Sequence, residues 1–220
     1  MEEVPELLLI DKPKGITSFD VIRRLRRQLG IKKIGHAGTL DPLATGLMII
    51  CTGKFTKRLS EFMGQEKEYT GTITLGGTTP SYDLESEIDQ TFPTEHITDE
   101  AIYAFAKAYQ GKIMQRPPVF SALKKDGKRL YEFARAGEEV EIPKREIHIT
   151  SFEITRIAMP EVDFKVSCSK GTYIRSLAYD FGVGLDSGAH LTALRRTKIG
   201  DFSVDIAQTL EEFQERFGES

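Results

Sequence analysis

Twelve consecutive residues near the amino terminus constrain the fold of this chain more than any other segment. They read Gly35-His36-Ala37-Gly38-Thr39-Leu40-Asp41-Pro42-Leu43-Ala44-Thr45-Gly46 and hold one carboxylate among three glycines and a proline. Glycines let another molecule approach the backbone closely, and a residue that precedes proline is pushed away from helical conformations. The segment therefore predicts a shaped loop that presents Asp41 close to His36. Taken alone, it leaves open whether Asp41 does chemistry or only begins an Asp-Pro turn.

The charge of the chain is small overall but unevenly distributed. The formal net charge is −3 and the pI is about 5.9, which argues against a protein that is basic all over. The segment 23–33 carries six Lys or Arg and no acid, whereas 83–100 carries seven acids and no Lys or Arg. Such segregation allows a basic face that steers a polyanion, although the arginines of 23–27 are equally compatible with a solvated helix face.

Several classes of protein are disfavoured by simpler features. The first apolar run, 7–10, is too short for a secretion signal or a membrane span. The two cysteines, Cys51 and Cys168, lie far apart and form no CxxC motif, which favours a reduced, cytoplasmic protein. The four histidines are scattered without metal-ligand spacing, so we expect no metal.

Hydrophobic periodicity predicts a mixture of strands and helices without regular βαβ alternation, which favours an α+β fold. A capping box from Thr17 to Asp20 predicts a helix that Gly30 ends, and Thr98 and Thr209 predict two further helix starts. The helix that starts at Thr98 is expected to end at Gly111, and one more helix is expected after Gly171. The remaining expected elements are strands at 7–10, 47–51, 69–75, 147–157 and 162–168, and a helix at 56–63.

Six segments together resemble one family in the same order along the chain. They are GHAGTLDPLATG, LLLIDKPKGITSFDVI, KEYTGTITLG, RPPVFSALKKDGKRLYEFARAG, CSKGTYIRSLAYDFG and GAHLTALRRTKIG. This set resembles the bacterial tRNA pseudouridine synthases of the TruB type, which convert the T-loop uridine (uridine 55) of tRNA. The resemblance spans nearly the whole chain and is far more specific than any single motif.

The resemblance implies an α+β fold with a central, mostly antiparallel, bent sheet flanked by helices, and a catalytic cleft. It implies one catalytic domain, 1–220, with a basic, RNA-gripping excursion at 117–145, and a short form that lacks the family's C-terminal RNA-binding domain. It also implies a cytoplasmic enzyme that uses no cofactor and binds the T-stem and loop of tRNA. We expect a monomer without an obligate protein partner.

The same resemblance assigns roles to individual residues, in the numbering of this chain. Asp41 matches the essential aspartate, and Arg175 matches the arginine that pairs with it. Tyr69 matches the tyrosine that stacks on the target base, and its hydroxyl is also a candidate catalytic acid or base. The other matches are Tyr173 and Leu194 lining the base pocket, His36 inserting into the RNA stack, and Lys12 supporting the loop or contacting a phosphate. Candidate contacts to the RNA backbone are Lys124, Lys125, Lys128, Arg129, Arg135, Arg195, Arg196 and Lys198.

Some alternatives stay open at this point. Asp41 could attack the sugar carbon C1′ or remove a proton from C2′; either role needs an ionised carboxylate. The rival functions are a non-catalytic RNA-binding or RNA-folding protein on the same scaffold, a glycosidase-like hydrolase, and a guide-dependent rRNA modifier. A hydrolase ordinarily uses two carboxylates across its cleft, and we find no second acid in a matching motif.

Overall fold

The computed structural model describes residues 4–121, 124–125, 128–129, 132 and 141–217. Within this part of the chain it contains thirteen strands and five α-helices, so the predicted α+β class is confirmed. The chain divides into two compact units, one formed by Met1–Thr70 with Leu194–Ser220 and the other by Gly71–Ala193. Each unit combines strands with helices.

The elements are numbered in chain order. The strands are β1 (Leu7–Lys12), β2 (Ile34–His36), β3 (Thr45–Thr52), β4 (Lys67–Leu75), β5 (Gly77–Thr78), β6 (Gln90–Thr91), β7 (Gly111–Gln115), β8 (Lys124–Lys125), β9 (Lys128–Arg129), β10 (Arg145–Ala158), β11 (Glu161–Cys168), β12 (Ala189–Ile199) and β13 (Phe202–Ser203). The α-helices are α1 (Ser18–Leu29), α2 (Leu59–Gly64), α3 (Asp99–Ala108), α4 (Ile174–Gly184) and α5 (Leu210–Phe217), with 3-10 helices at Gly53–Arg58 and Val204–Ile206.

Strand β3 is the centre of the first unit. It pairs antiparallel with β1 and β2 and parallel with β12, and β4 follows β12 in the strand order. Its side chains are buried from Gly46 to Thr52, because β3 is covered on both faces. On one face Leu47, Ile49 and Cys51 pack with Phe62 of α2. The Asp41 loop leads directly into this buried strand, so the core fixes one end of the loop.

Helix α1 begins and ends where local chemistry predicts. The Thr17 hydroxyl accepts a bond of 3.0 Å from the backbone N–H of Asp20, and the Asp20 carboxylate accepts one of 3.0 Å from the backbone N–H of Thr17. This is the capping box, and Gly30 ends the helix with a φ of +63°. Both predictions for this helix are confirmed.

The second unit has the strand order β12, β4, β11, β10, β7, formed by those parts of β4 and β12 that belong to it. The pairings of β10 with β11 and β7 are antiparallel. Phe152 and Phe164 meet edge to face, and Phe181 of α4 packs against Phe152, so the aromatic core of this unit seats α4. The predicted strands 147–157 and 162–168 are confirmed.

Two boundaries differ from the predictions. Helix α3 ends at Ala108, and Gly111 begins β7. The helix predicted at 56–63 is divided into the 3-10 helix Gly53–Arg58 and the short helix α2. Strand β12 was not predicted at all. The predicted bend of the sheet stays a prediction.

Candidate active site

Asp41 lies in a turn whose neighbouring residues are held from both sides. The backbone N–H of Ala44 donates to the carbonyl of Asp41 at 3.0 Å, which closes a turn with Pro42 at its second position. On the other side, the hydroxyl of Ser18 accepts from the N–H of Leu40 at 2.8 Å and donates to its carbonyl at 3.0 Å. The backbone of Asp41 is therefore fixed between two anchored residues.

A fully buried lysine forms the second anchor of this turn. The ammonium of Lys12 donates to the carbonyls of Pro13 at 2.9 Å, Ile16 at 2.8 Å and Pro42 at 3.3 Å. Burial lowers the pKa of Lys12 to about 8, and the nearby charge of Asp41 opposes that shift. Of the two predicted roles of Lys12, the structure favours loop support, because its donors are used by the chain itself.

Arg196 is a third anchor of the loop, and here the structure corrects the prediction. Its side chain is 1% exposed. The guanidinium donates to the carbonyl of Leu47 at 2.8 Å and to that of Gly38 at 3.0 Å. A buried side chain with these partners does not reach the RNA backbone as predicted; it holds the loop from inside.

Gly46 lets β12 approach the end of this loop. The residue has a φ of +109° and pairs directly with Arg196. A Cβ atom on Gly46 would stand 2.7 Å from the backbone nitrogen of Arg196 and closer still to its carbonyl oxygen. The loop therefore needs glycine here for two reasons, conformation and space.

The first unit also contains His36, Tyr69 and Leu194. His36 lies opposite Ile50 on β2; burial lowers its pKa and the Arg196 cation adds to this effect, which favours the neutral imidazole. Tyr69 is 9% exposed on β4. Leu194 is half-buried on β12, the strand next to β4. Their predicted contacts with a flipped uridine stay predictions.

Arg195 is engaged in an ion pair at the surface. Its two terminal nitrogens donate to the two carboxylate oxygens of Asp11, at 3.0 and 2.7 Å, in a bidentate arrangement. The side chain is 40% exposed, so a phosphate contact would compete with Asp11. Lys198 lies 4.0 Å from Glu68 and is half-exposed.

In the second unit, Arg175 is 4% exposed near the start of α4. Its guanidinium donates to the carbonyl of Ser81 at 3.1 Å and to that of Phe120 at 2.9 Å. Its Nε lies 3.8 Å from a carboxylate oxygen of the buried Asp83. Asp41 belongs to the first unit, and the predicted pairing of Arg175 with Asp41 stays a prediction.

Tyr173 is positioned by a buried amide. The side chain of Gln115, which is 0% exposed, accepts from the N–H of Tyr173 at 2.9 Å and donates to its carbonyl at 3.0 Å. The guanidinium of Arg145 lies 5.0 Å from the centre of the Tyr173 ring. Gln115 thus sets the backbone at the N-cap of α4, one residue before that helix begins.

The predicted RNA-gripping excursion is described in part. Its Lys124, Lys125, Lys128 and Arg129 lie on β8 and β9, which pair antiparallel as a separate two-stranded sheet. Arg135 lies outside the described residues. The phosphate contacts assigned to this segment stay predictions.

Four of these anchoring residues were not predicted, namely Ser18, Asp83, Gln115 and, in its buried role, Arg196. Asp83 falls in a run of acids that favours a loop or edge hairpin, and β5 pairs with β6 there as a hairpin. Gln115 immediately precedes the motif that begins at Arg116, and nothing local distinguishes it. Only partners distant in sequence give these residues their roles.

The described part of the chain contains no group of three or more His, Cys, Asp or Glu arranged to hold a metal ion. A search of the same residues finds no helix with the length and apolar character that a membrane crossing requires.

Comparison with known proteins gives a consistent result. A family model described as TruB family pseudouridylate synthase (N terminal domain) matches residues 26–174, and one described as tRNA pseudouridylate synthase B C-terminal domain matches residues 175–219. The tRNA pseudouridine synthase B of Flavobacterium johnsoniae is 62% identical, covering 96% of this chain and 95% of the relative. That of Phocaeicola vulgatus is 54% identical, covering 96% and 92%.

Two solved structures resemble the whole chain. A chain of a Cbf5-Nop10-Gar1 complex matches with a TM-score of 0.73 and 28% identity, covering 97% of this chain and 56% of that one. A chain of an H/ACA RNP bound to a substrate RNA containing 2'-deoxyuridine matches with a TM-score of 0.71 and 26% identity, with the same coverage. The present chain thus spans little more than half the length of these two chains.

Proposed function

The chain belongs to the TruB family of pseudouridylate synthases, and on that premise we propose that it converts the T-loop uridine of tRNA, uridine 55, to pseudouridine. The observation that carries this proposal is the Asp41 loop. Ser18, Lys12 and Arg196, all buried, bond to the backbone on either side of the carboxylate. A carboxylate held in this way keeps its position while a substrate is bound and reacts, which is how positioning lowers a barrier.

The reaction needs a carboxylate and a closed pocket but no net redox change. The bond between N1 and C1′ breaks, the uracil turns, and C5 bonds to C1′. C5 then loses its proton and N1 carries one, so product and substrate are isomers. We assign to Asp41 the first step, as nucleophile at C1′ or as base at C2′. Both routes return the carboxylate unchanged.

The second unit supplies two further residues of the proposed site, Arg175 and Tyr173. Arg175 is buried and fixed by Ser81, Phe120 and Asp83, so its guanidinium is oriented before substrate binds. We propose that it pairs with Asp41 in the complete site and keeps that carboxylate ionised. Tyr173, held by Gln115, would line the uracil pocket.

We assign base stacking and the compensation of base extrusion to two aromatic residues, Tyr69 and His36. Tyr69 would stack on the extruded uracil, an interaction worth roughly 1–3 kcal/mol per base. His36 would fill the space that the uridine leaves in the RNA. Its lowered pKa favours a neutral ring, which stacks without bringing an unpaired charge into the RNA. Extrusion itself costs on the order of a few kcal/mol, so such compensation matters.

We infer that the chain acts as a single catalytic domain and as a monomer, in the cytoplasm, where tRNA is modified. The relatives named tRNA pseudouridine synthase B are 50–62% identical in several bacteria, whereas the Cbf5 chain is 28% identical. This difference favours a stand-alone tRNA enzyme over a guide-dependent one. The basic excursion at 117–145 would grip the T-stem and loop.

The test is Asp41→Asn, assayed on a T-arm hairpin whose target uridine carries tritium at C5. We expect no tritium release, with binding of the hairpin retained, because the amide preserves shape but removes the charge. Asp201→Asn, at an exposed aspartate, is the matched control and should release tritium at the wild-type rate. Release by Asp41→Asn near the wild-type rate would remove Asp41 from the mechanism.

Two further outcomes separate the rivals. Wild-type protein that binds the hairpin but releases no tritium from it or from whole tRNA would favour the non-catalytic RNA-binding protein. Free uracil among the products would favour the hydrolase.

A further inference from the structure

Helix α1 carries a basic surface that none of the proposed catalytic steps uses. We define the α1 basic surface as Arg24, Arg26, Arg27 and Lys32, all of which are exposed. Arg23 is paired with Asp20 at 2.8 Å and is left out of this set. Within the described part of the chain, none of the four members forms an ion pair. Asp20, which pairs with Arg23, also interacts electrostatically with Arg24.

The helix itself determines which way these side chains point. Val21, Ile22 and Leu25 are at most 4% exposed, and they fix the face that packs against the first unit. With 3.6 residues per turn, the arginines are turned toward solvent. Cations in the last turn of a helix interact favourably with the helix dipole. This interaction explains in part why Arg26 and Arg27 lie there.

The dipole does not account for the whole set. Like charges three residues apart, as Arg24 and Arg27 are, repel one another on a helix. Lys32 adds a further cation beyond the end of the helix at Gly30. A cluster of mutually repelling cations on an exposed helix face is typical of a surface that meets a polyanion.

The position of the surface relative to Asp41 follows from the helix length. Ser18, the first residue of α1, bonds to Leu40, which directly precedes Asp41. At a rise of 1.5 Å per residue, Arg24 and Arg27 lie about 9 and 14 Å further along the helix axis. That is roughly three to four base steps of a nucleic-acid strand, taken at about 3.4 Å each. The surface is thus within reach of the stem that adjoins a uridine bound at Asp41.

We propose that the α1 basic surface binds backbone phosphates of the tRNA T-stem. This inference rests on the proposed function, because it places the target uridine at Asp41. The surface adds affinity and sets the register of the stem, and it does not read base identity. It extends the RNA contacts beyond the excursion at 117–145.

The test is the salt dependence of binding to an isolated T-arm hairpin. We compare the wild type with the triple variant Arg24→Gln, Arg26→Gln, Arg27→Gln by filter binding over a series of KCl concentrations. Each phosphate contact contributes about 0.9 to the slope of log K against log salt. Three lost contacts at about 0.9 each predict a slope that is smaller by about 2.7 in the triple variant. A second triple variant with Lys at the same positions keeps the charge and should keep the slope.

Lys107→Gln with Lys112→Gln, at exposed lysines of the second unit, serves as the control and should leave the slope unchanged. A glutamine triple variant that melts like the wild type and keeps its full slope would reduce the α1 basic surface to a solvated helix face. Loss of slope with whole tRNA but not with the hairpin would refute the T-stem assignment. Equal loss in the lysine triple variant would show a structural role instead.

The outcome is separable from that of the proposed function. Tritium release from the hairpin by the wild type is measured independently. Its absence, together with a reduced slope in the glutamine variant, would refute uridine conversion and leave the binding surface in place.

Discussion

At the scale of single residues, the site depends on cations that are buried against backbone carbonyls. Lys12 and Arg196 hold the Asp41 loop, and Lys67 holds the end of α2 through the carbonyls of Met63 and Gln65, both at 2.6 Å. Each of these cations donates to at least two backbone carbonyl oxygens. Burying a cation is favourable only with such partners. Three cations of the first unit are therefore used to fix its backbone.

Lys12 makes stability depend on pH in a defined window. Its pKa is about 8 in the folded chain, against an ordinary lysine value of 10.5, so between these two values the unfolded chain binds more protons. The free energy of unfolding should therefore rise with pH from about 8 to 10.5 through this group. Burial raises the pKa of Cys51 to about 11, which opposes the rise above pH 9.

Comparing the wild type with Lys12→Met isolates the contribution of Lys12 to the pH dependence of the unfolding free energy. Urea unfolding of wild type and Lys12→Met across this range should give curves that diverge as pH increases, whereas Lys14→Met, at an exposed lysine of the same segment, should run parallel to the wild type. A Lys12→Met curve parallel to the wild-type curve would mean that the pKa of the Lys12 ammonium is not lowered in the folded chain.

Tyr82 is the residue through which the second unit orients Arg175. It lies between Ser81 and Asp83, both of which contact the guanidinium, and it has a φ of +64°, a strained value for tyrosine. Its ring stacks on Tyr179 of α4 with centroids 4.3 Å apart. The stack holds the backbone in the conformation that directs both neighbours toward Arg175.

We therefore expect Tyr82→Ala to lower kcat by roughly 10- to 100-fold, as small displacements of a catalytic group do, with a smaller change in KM. Tyr82→Phe, which retains the stack, should keep most of the activity. The measurement is tritium release at saturating hairpin. An alanine variant as active as the phenylalanine variant would show that the stack does not orient Arg175.

At the scale of elements, the pairing of β3 with β12 depends on Gly46. Gly46→Ala must push β12 away or distort the loop, and we expect a loss of unfolding free energy of about 3 kcal/mol, as for severe overpacking and strain combined. Gly64→Ala, on α2 with open space around its Cβ, is the matched control and should be neutral or slightly stabilising. Both are measured by urea unfolding at pH 7. Equal midpoints would contradict the close approach of the two strands.

Elements whose ends are set by neighbours in sequence were predictable. Helix α1 has its capping box and its terminal glycine within 14 residues of each other, and the capping box at Thr209 is likewise confirmed by a bond of 3.1 Å from the N–H of Glu212. Strand β12 was missed because Arg195, Arg196 and Lys198 are typical of a solvated segment.

Arg196 shows why the rest of the site was not predictable from its own neighbourhood. Its carbonyl partners, Leu47 and Gly38, precede it by 149 and 158 residues. No local pattern distinguishes a buried arginine with such partners from an exposed one. The turn at Asp41 was predictable because adjacent residues encode it, Pro42 above all, whereas its catalytic role was assigned from the family resemblance and stays a prediction.

At the scale of the whole molecule, the first unit combines both ends of the described chain. Residues from Leu194 onward supply the second half of β12, together with β13 and α5. A chain that stops after residue 193 would lack Arg196 and the strand beside β3. We expect it to expose apolar surface, measured as increased ANS fluorescence, and to release no tritium.

A chain that stops after Phe217 retains α5 and should behave like the full chain in both measurements. Activity in the shorter chain would show that the Asp41 loop is stable without β12.

The dependence of this loop on Arg196 has a consequence for biosynthesis. Translation delivers Asp41 155 residues before Arg196. At about 5–20 residues per second, the ribosome takes roughly 8 to 30 s to cover that interval. During this time the nascent polypeptide contains Asp41 but lacks the arginine that bonds to the carbonyls of Gly38 and Leu47. We therefore expect the nascent chain to modify RNA only after Arg196 has been made and has reached the loop.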